Sequence, residues 1–160
     1  MKYLARIWYD GSKFQGFQRL NNGCGVQNEL ERVLSLIAGQ SVVVKGAGRT
    51  DAGVHAFDQC IHFSISIDID VEKLKYAMNR LLNPFVAVKS IITVSSEFHA
   101  RHDVMCKKYV YKIYCGEKNP FLSLYSLAYY QDIDLKLAQE CCQLFVGVHD
   151  FRNFVAGERD

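Results

Sequence analysis

Residues 46–56, GAGRTDAGVHA, place an arginine and an aspartate two positions apart among three glycines. Three glycines within eight residues favour a tight loop, because glycine tolerates backbone angles that other residues avoid. A carboxylate is ionised at neutral pH and can act as a base or a nucleophile. A guanidinium can bind a phosphate through two nitrogens or stack on a base. The pattern therefore makes Asp51 and Arg49 the first candidates for chemistry.

Three interpretations of this loop compete. A strand followed by G-x-G resembles a dinucleotide-binding loop, but that motif requires a third glycine where Asp51 stands and a helix afterwards. In the second interpretation, Arg49 and Asp51 form a surface ion pair worth at most about 1 kcal/mol. In the third, Asp51 is a catalytic carboxylate that a rigid turn holds beside Arg49.

Hydrophobic periodicity predicts the elements that position the loop. Four segments have the alternating or clustered apolar residues that are typical of strands, and we predict strands over 3–9, 42–45, 59–67 and 85–94. Helical spacing begins at Val26 and ends before Gly39, and a second helix follows Asp70 and ends before Pro84. The first 94 residues thus predict an α+β fold, a ferredoxin-like (RRM-like) antiparallel sheet with two helices on one face. Many RNA-binding modules share this arrangement.

The rest of the chain is less regular. Residues 107–115, KKYVYKIYC, predict a long strand on which Tyr109 and Tyr111 share one face, and Asp134 is placed to cap a third helix. We therefore predict two domains: residues 1–94, which carry the glycine loop, and residues 95–160, with the tyrosine-rich strand and the third helix.

Composition narrows the class of protein. The 160 residues are 49% hydrophobic and 22% charged, which is typical of a globular chain, and no apolar stretch approaches the roughly 18 residues of a membrane span. A net charge of +2 means that a polyanion would need a local patch of cations. The six cysteines lack a C-x-x-C pair and predict free thiols in a reducing cytoplasm. His99-x-x-His102 with Cys106 lacks a fourth ligand, so we expect no metal.

Five segments resemble those of the tRNA pseudouridine synthase A family, and together they span nearly the whole chain. They are YDGSKFQGFQ at 9–18, VQNELERVL at 26–34, GRTDAGVHA at 48–56, FHARHDVMCKKYVYKIY at 98–114 and GVHDFRNF at 147–154. The nine-residue segment around Asp51 is the most specific of them. One difference is Phe17, which stands where many members have tryptophan; either ring could pack or stack.

The resemblance implies an isomerase that converts uridine to pseudouridine at positions 38 to 40 of the tRNA anticodon stem-loop, without cofactor or metal. Asp51 would be the catalytic aspartate, and Arg49 would help hold the flipped nucleotide. Tyr109 would stack on the uracil, with Tyr111 as the second choice and core packing as the alternative for either ring. Further residues would contact phosphates, brace the loop or simply be solvated: His55, His99, Arg101, Lys107, Lys108 and Lys112.

Members of this family are usually longer than 160 residues. They continue into a second half that completes the substrate cleft, contributes another basic residue near the aspartate and builds much of a homodimer interface. The resemblance thus implies a cytoplasmic, homodimeric enzyme and a pseudouridine synthase fold that is incomplete at the C-terminus, with 95–160 as the start of the second half. The alternative is a catalytically silent RNA-binding module or truncated fragment.

Overall fold

The computed structural model describes residues 1–154, which form two compact units: Met1–Lys108, and a second unit that begins at Tyr109. The first unit contains two helices and four strands. The helices are α1 (Val26–Ala38) and α2 (Val71–Leu81), and the strands are β1 (Lys2–Tyr9), β2 (Lys45–Gly46), β3 (Ala56–Ser64) and β4 (Val86–Val94). Within the described residues, no helix is both long and apolar enough to cross a bilayer.

The four strands form one antiparallel sheet in the order β2-β3-β1-β4. The central strand β1 alternates, since Tyr3, Ala5, Ile7 and Tyr9 are buried while Arg6 and Trp8 are exposed on the opposite face. The buried side belongs to one hydrophobic core that includes Leu30 and Leu34 of α1 and Leu74 and Met78 of α2. The predicted α+β class, with an antiparallel sheet and helices, is therefore confirmed.

The end of α1 and the start of α2 are capped by the residues that the sequence predicts. Gly39 follows α1 in a left-handed conformation, with a φ of 63° that glycine adopts without strain. Asp70 caps α2, because its carboxylate accepts hydrogen bonds from the N–H groups of Glu72 and Lys73 at 3.0 Å each.

The predicted strand over 42–45 is reduced to β2, and helix side chains are the reason. The N–H of Val44 donates to Oε1 of the buried Glu31 at 3.0 Å, and the N–H of Val42 donates to Ser35 Oγ at 2.9 Å. At the other edge of the sheet, Asn79 of α2 bonds both the N–H and the C=O of Val88, at 2.7 and 2.9 Å. Polar side chains from the helices thus replace strand partners at both edges.

Residues 95–103, which we call the strap, cross the face of the sheet opposite the helices. The Lys2 ammonium donates to the carbonyls of Ser96 and Phe98, and the N–H of Ala100 donates to His62 Nδ1 at 3.1 Å. His62 is therefore only 6% exposed, although the alternation of β3 predicts it on the open side. The strap joins the first unit, whose last residue is Lys108. The division at residue 94 remains a prediction, and residues 155–160 of the second predicted domain lie outside the described range.

The strap makes the stability of the first unit pH-dependent. Burial, the neighbouring His99 and the cations of Lys2 and Lys45 lower the pKa of His62 from 6.5 to about 4. Between these values the unfolded chain binds a proton that the folded chain does not, so stability is complete above pH 6.5 and falls as the pH drops toward 4. We expect a loss of about 2 kcal/mol between pH 7.5 and pH 5, measured by denaturant unfolding.

The matched variants for this prediction are His62→Gln and His102→Gln. Glutamine at 62 removes the titrating ring and should flatten the pH dependence, whereas the exposed His102 should leave it unchanged. An equal pH dependence in the unaltered chain and in His62→Gln would contradict the prediction.

The second unit contains strands β5 (Ile113–Cys115) and β6 (Leu127–Tyr129), which pair in parallel, and helix α3 (Leu135–Gln143). Asp134 caps α3 by accepting from the N–H of Leu137 at 3.0 Å, as predicted. The predicted long strand over 107–115 is wrong, because only Ile113–Cys115 pair with another strand and residues 107–112 have no strand partner in the described structure. Tyr109 and Tyr111 precede β5 and are 64% and 88% exposed, and the role of either ring remains a prediction.

Candidate active site

Asp51 begins a tight turn in the loop between β2 and β3. The N–H of Val54 donates to the carbonyl of Asp51 at 3.2 Å, and Gly53, the third residue of the turn, has a φ of 80°. A turn of type II requires a positive φ at this position, which glycine supplies. The start of the loop is tied to β3, because Gln59 Nε2 donates to the carbonyl of Gly48 at 2.7 Å. The carboxylate of Asp51 therefore projects from a closed, anchored turn.

Residues 9–18 pack on this loop, backbone against backbone. A Cβ on Gly11 would overlap the carbonyl of Val54. Gly16 has a φ of 101°, and a Cβ there would lie 2.8 Å from the carbonyl oxygen of Thr50, to which the N–H of Phe17 donates at 3.0 Å. Only glycine permits such an approach at these two positions.

Side chains on either side of Asp51 fasten the same two segments. The hydroxyl of the buried Tyr9 is 2.8 Å from Thr50 Oγ1. Nδ1 of His55 lies 3.0 Å from Asp10 Oδ1 and 3.2 Å from the backbone nitrogen of Gly11. The residues that flank Asp51 are thus fixed from both directions, and His55 acts as a brace within the loop assembly.

Phe17 packs rather than stacks. Its ring is only 3% exposed and lies 6.2 Å from the ring of Tyr9, centroid to centroid. A Cβ on Gly46 would come within 2.6 Å of the Phe17 ring, so the glycine that opens the loop is also required by this aromatic contact. The ring therefore belongs to the support of the loop.

The side chains of Asp51 and Arg49 are both exposed. Within residues 1–154, neither makes a hydrogen bond or an ion pair through its side chain, so the two residues do not form the surface ion pair of the second interpretation. A rigid loop that carries an unpaired carboxylate beside an unpaired guanidinium can meet a ligand with both groups.

The other predicted site residues are distributed more widely. The N–H of Arg101 donates to Nδ1 of His99 at 3.3 Å, and the His99 ring lies 4.6 Å from that of His62, centroid to centroid, so this pair lies at the strap. The Arg101 side chain is exposed. Tyr109 begins the second unit and is exposed there.

The segment 9–18 is indicated in the sequence only by the family resemblance, and its part in holding the loop is not predicted. Gly11 and Gly16 were the available signal, because two glycines in a polar segment suggest a close backbone approach. A separate shallow cavity of about 670 Å³ lies at the far end of the sheet, beside Lys2 and Ser64. It is remote from Asp51, and we do not include it in the site.

Comparison with known proteins agrees with this geometry. Residues 5–103 match the family described as tRNA pseudouridine synthase. A tRNA pseudouridine synthase A of Streptococcus suis (strain 05ZYH33) is 44% identical over 157 residues, which cover 97% of this chain and 63% of the relative. Proteins of the same name from Streptococcus thermophilus (strain CNRZ 1066) and Streptococcus agalactiae (serotype III, strain NEM316) are each 42% identical, over 98% and 97% of this chain.

The chain spans 64% and 61% of those two relatives, so it covers a little under two thirds of the proteins it matches. The matched family range contains both glycine-bearing segments, the turn that begins at Asp51 and the strap. The family model thus covers the whole of the loop around Asp51, and the chain belongs to the tRNA pseudouridine synthases.

Proposed function

We propose that the chain isomerises uridine to pseudouridine in tRNA and that Asp51 supplies the catalytic carboxylate. The observation that carries the proposal is the exposed, unpaired Asp51 on a turn that the segment 9–18 holds in place through Gly11 and Gly16. The reaction breaks the bond between ribose C1′ and uracil N1 and joins C1′ to C5. C5 loses its hydrogen as a proton and N1 gains a proton. The reaction is therefore an isomerisation that needs neither an oxidant nor a redox cofactor.

The fixed position of the carboxylate suits each route that this reaction can follow. Asp51 can add to uracil C6, attack C1′, or remove the proton from C2′, and each route requires an anionic oxygen near the glycosidic bond. Holding a reacting group in place before the substrate arrives reduces the entropy cost of the reaction. The backbone contacts of Gly11 and Gly16 supply that restriction here.

Uridines at positions 38 to 40 of the anticodon stem-loop are the proposed substrates, by resemblance to the family. A uridine within a stem must leave the base stack before Asp51 can reach it, at a cost of a few kcal/mol. The exposed Arg49 would fill the vacated space, and Tyr109 would stack on the uracil, which is worth about 1–3 kcal/mol. His55 would brace the loop, and Arg101 would contact a phosphate.

Replacing Arg49 with lysine tests this role. Lysine keeps the charge but loses the planar guanidinium, so we expect turnover to fall by at least about tenfold. The unfolding free energy should change by less than about 0.5 kcal/mol, because the Arg49 side chain is exposed and unpaired. Turnover and RNA affinity equal to those of the unaltered chain would show that stacking and flipping are the wrong role.

Finer features of the family belong to the same proposal. The element order and the strand order β2-β3-β1-β4 support the ferredoxin-like arrangement. A homodimer, direct RNA binding and a cytoplasmic location are proposed from the family alone.

Release of tritium from uridine C5 tests the proposed reaction directly, because C5 loses its hydrogen only when the base is turned and reattached. The substrates are tRNA labelled at C5 and anticodon stem-loops that carry a single uridine at position 38, 39 or 40. Release that requires the folded chain supports the isomerase. RNA binding without release would support the silent RNA-binding module instead.

A further inference from the structure

A lysine from the segment after the strap lies on the glycine loop. A Cβ built on Gly48 would be 3.5 Å from Lys107 Nζ and 3.7 Å from its Cε, and both residues belong to the first unit. The Lys107 ammonium therefore lies over the side of Gly48 that a side chain would occupy, next to Arg49 in the sequence. The sequence places these residues almost sixty positions apart.

The strap determines where Lys107 lies. Contacts from Lys2 and His62 anchor residues 96–100 to the sheet, and the N–H of His99 donates to Asp103 Oδ2 at 2.7 Å, which closes the turn that follows. Four residues beyond this turn, the chain reaches the glycine loop. The anchored strap thus directs the chain that carries Lys107 toward the glycine loop.

The charges around the loop are unbalanced. Lys107 is exposed and, like Arg49, forms no hydrogen bond or ion pair through its side chain within residues 1–154. The loop thus carries one unpaired cation, Arg49, and one unpaired carboxylate, Asp51, and the unpaired Lys107 approaches it from a second segment. Bringing like charges together costs free energy unless an anion lies between or beside them.

The backbone angles of Gly48 do not explain why a glycine stands beside Lys107. It is not among the glycines with a positive φ in the described residues, so its conformation does not require glycine. The absence of a side chain instead leaves the backbone open under the Lys107 ammonium. Because Lys107 is exposed, this surface is open to a phosphate from solvent.

We propose that Lys107 binds a backbone phosphate of the RNA beside the nucleotide on which Asp51 acts, together with Arg49. This inference rests on the proposed function and names a residue that positions the substrate. The ligand is a polynucleotide phosphate, because a point-charge ammonium beside the loop and a planar guanidinium on it suit a phosphate diester and carry no sequence information.

The test compares Lys107→Gln with Lys73→Gln. Both changes remove one charge from an exposed lysine, but Lys73 lies on α2 and only Lys107 is placed against Gly48. Binding of an anticodon stem-loop RNA is measured between about 50 and 300 mM salt. For Lys107→Gln we expect affinity to fall about fivefold and the slope of log K against log salt to shrink by about 0.7 to 0.9. Lys73→Gln should leave the slope unchanged, and Lys107→Arg should restore it.

Equal slopes for the two glutamine variants, or no RNA binding by the unaltered chain, would overturn the inference. Tritium release is measured on the same proteins, so the two proposals can fail separately. A slope change specific to Lys107 in a chain that releases no tritium would retain the phosphate contact and reject the isomerase.

Discussion

Asp51→Ala should abolish tritium release from C5-labelled tRNA, with a decrease of at least about 10⁴-fold, the scale of losing an essential catalytic group. Each of the three proposed routes requires this carboxylate, and no other acidic side chain lies on the turn. The unfolding free energy should change by less than about 0.5 kcal/mol, because the side chain is exposed and has no partner within residues 1–154. A loss of turnover is then a loss of chemistry.

Asp51→Asn is the matched control for shape. The amide keeps the size of the side chain and removes the anion, so release should be lost as fully as with alanine. RNA affinity should stay equal or rise, since a negative charge near the phosphates is removed. Substantial release from either variant would contradict the role of Asp51.

Gly11→Ala should destabilise the first unit by roughly 3 kcal/mol and decrease tritium release by more than about tenfold. The new methyl would overlap the carbonyl of Val54, and both groups belong to backbone, so no flexible side chain can move aside. Residues 9–18 must then separate from the loop, and Asp51 loses the contacts that hold it. Unfolding in denaturant and the release assay measure the two effects.

Gly48→Ala is the control for this variant in the unfolding experiment. A Cβ there meets nothing closer than 3.5 Å, and the residue has no positive φ. Its unfolding free energy should stay within about 1 kcal/mol of that of the unaltered chain. If Gly11→Ala were equally stable, the close approach of the two segments would not be a requirement of the fold.

Local signals predicted the helices well. The spacing of Leu30 and Leu34, the glycine after α1 and the cap at Asp70 are all read within a few residues, and the structure agrees with each. The strand over 42–45 was predicted from its apolar residues alone. Its backbone donors go instead to Glu31 and Ser35 of α1, and periodicity carries no information about such partners.

The candidate site also has features that the sequence predicted and features that it did not. Glycine spacing and the family resemblance indicated Asp51 and Arg49, whose exposure fits the roles proposed for them. The contact of Tyr9 with Thr50 and the approach of Lys107 to Gly48 join residues about forty and sixty positions apart, so no local pattern contains them. The strand predicted for Tyr109 is absent because alternation within a segment does not supply a partner strand, and only residues from Ile113 onward are paired.

The side chains that close the edges of the sheet also affect how the first unit meets other chains. An exposed strand edge is a template for aggregation, because its unpaired backbone groups can accept a strand from a neighbouring molecule. Glu31 and Ser35 occupy donors beside β2, and Asn79 occupies both backbone groups of Val88 in β4. A strand from a neighbouring molecule therefore finds fewer free backbone partners at Val42, Val44 and Val88 than an open edge would offer.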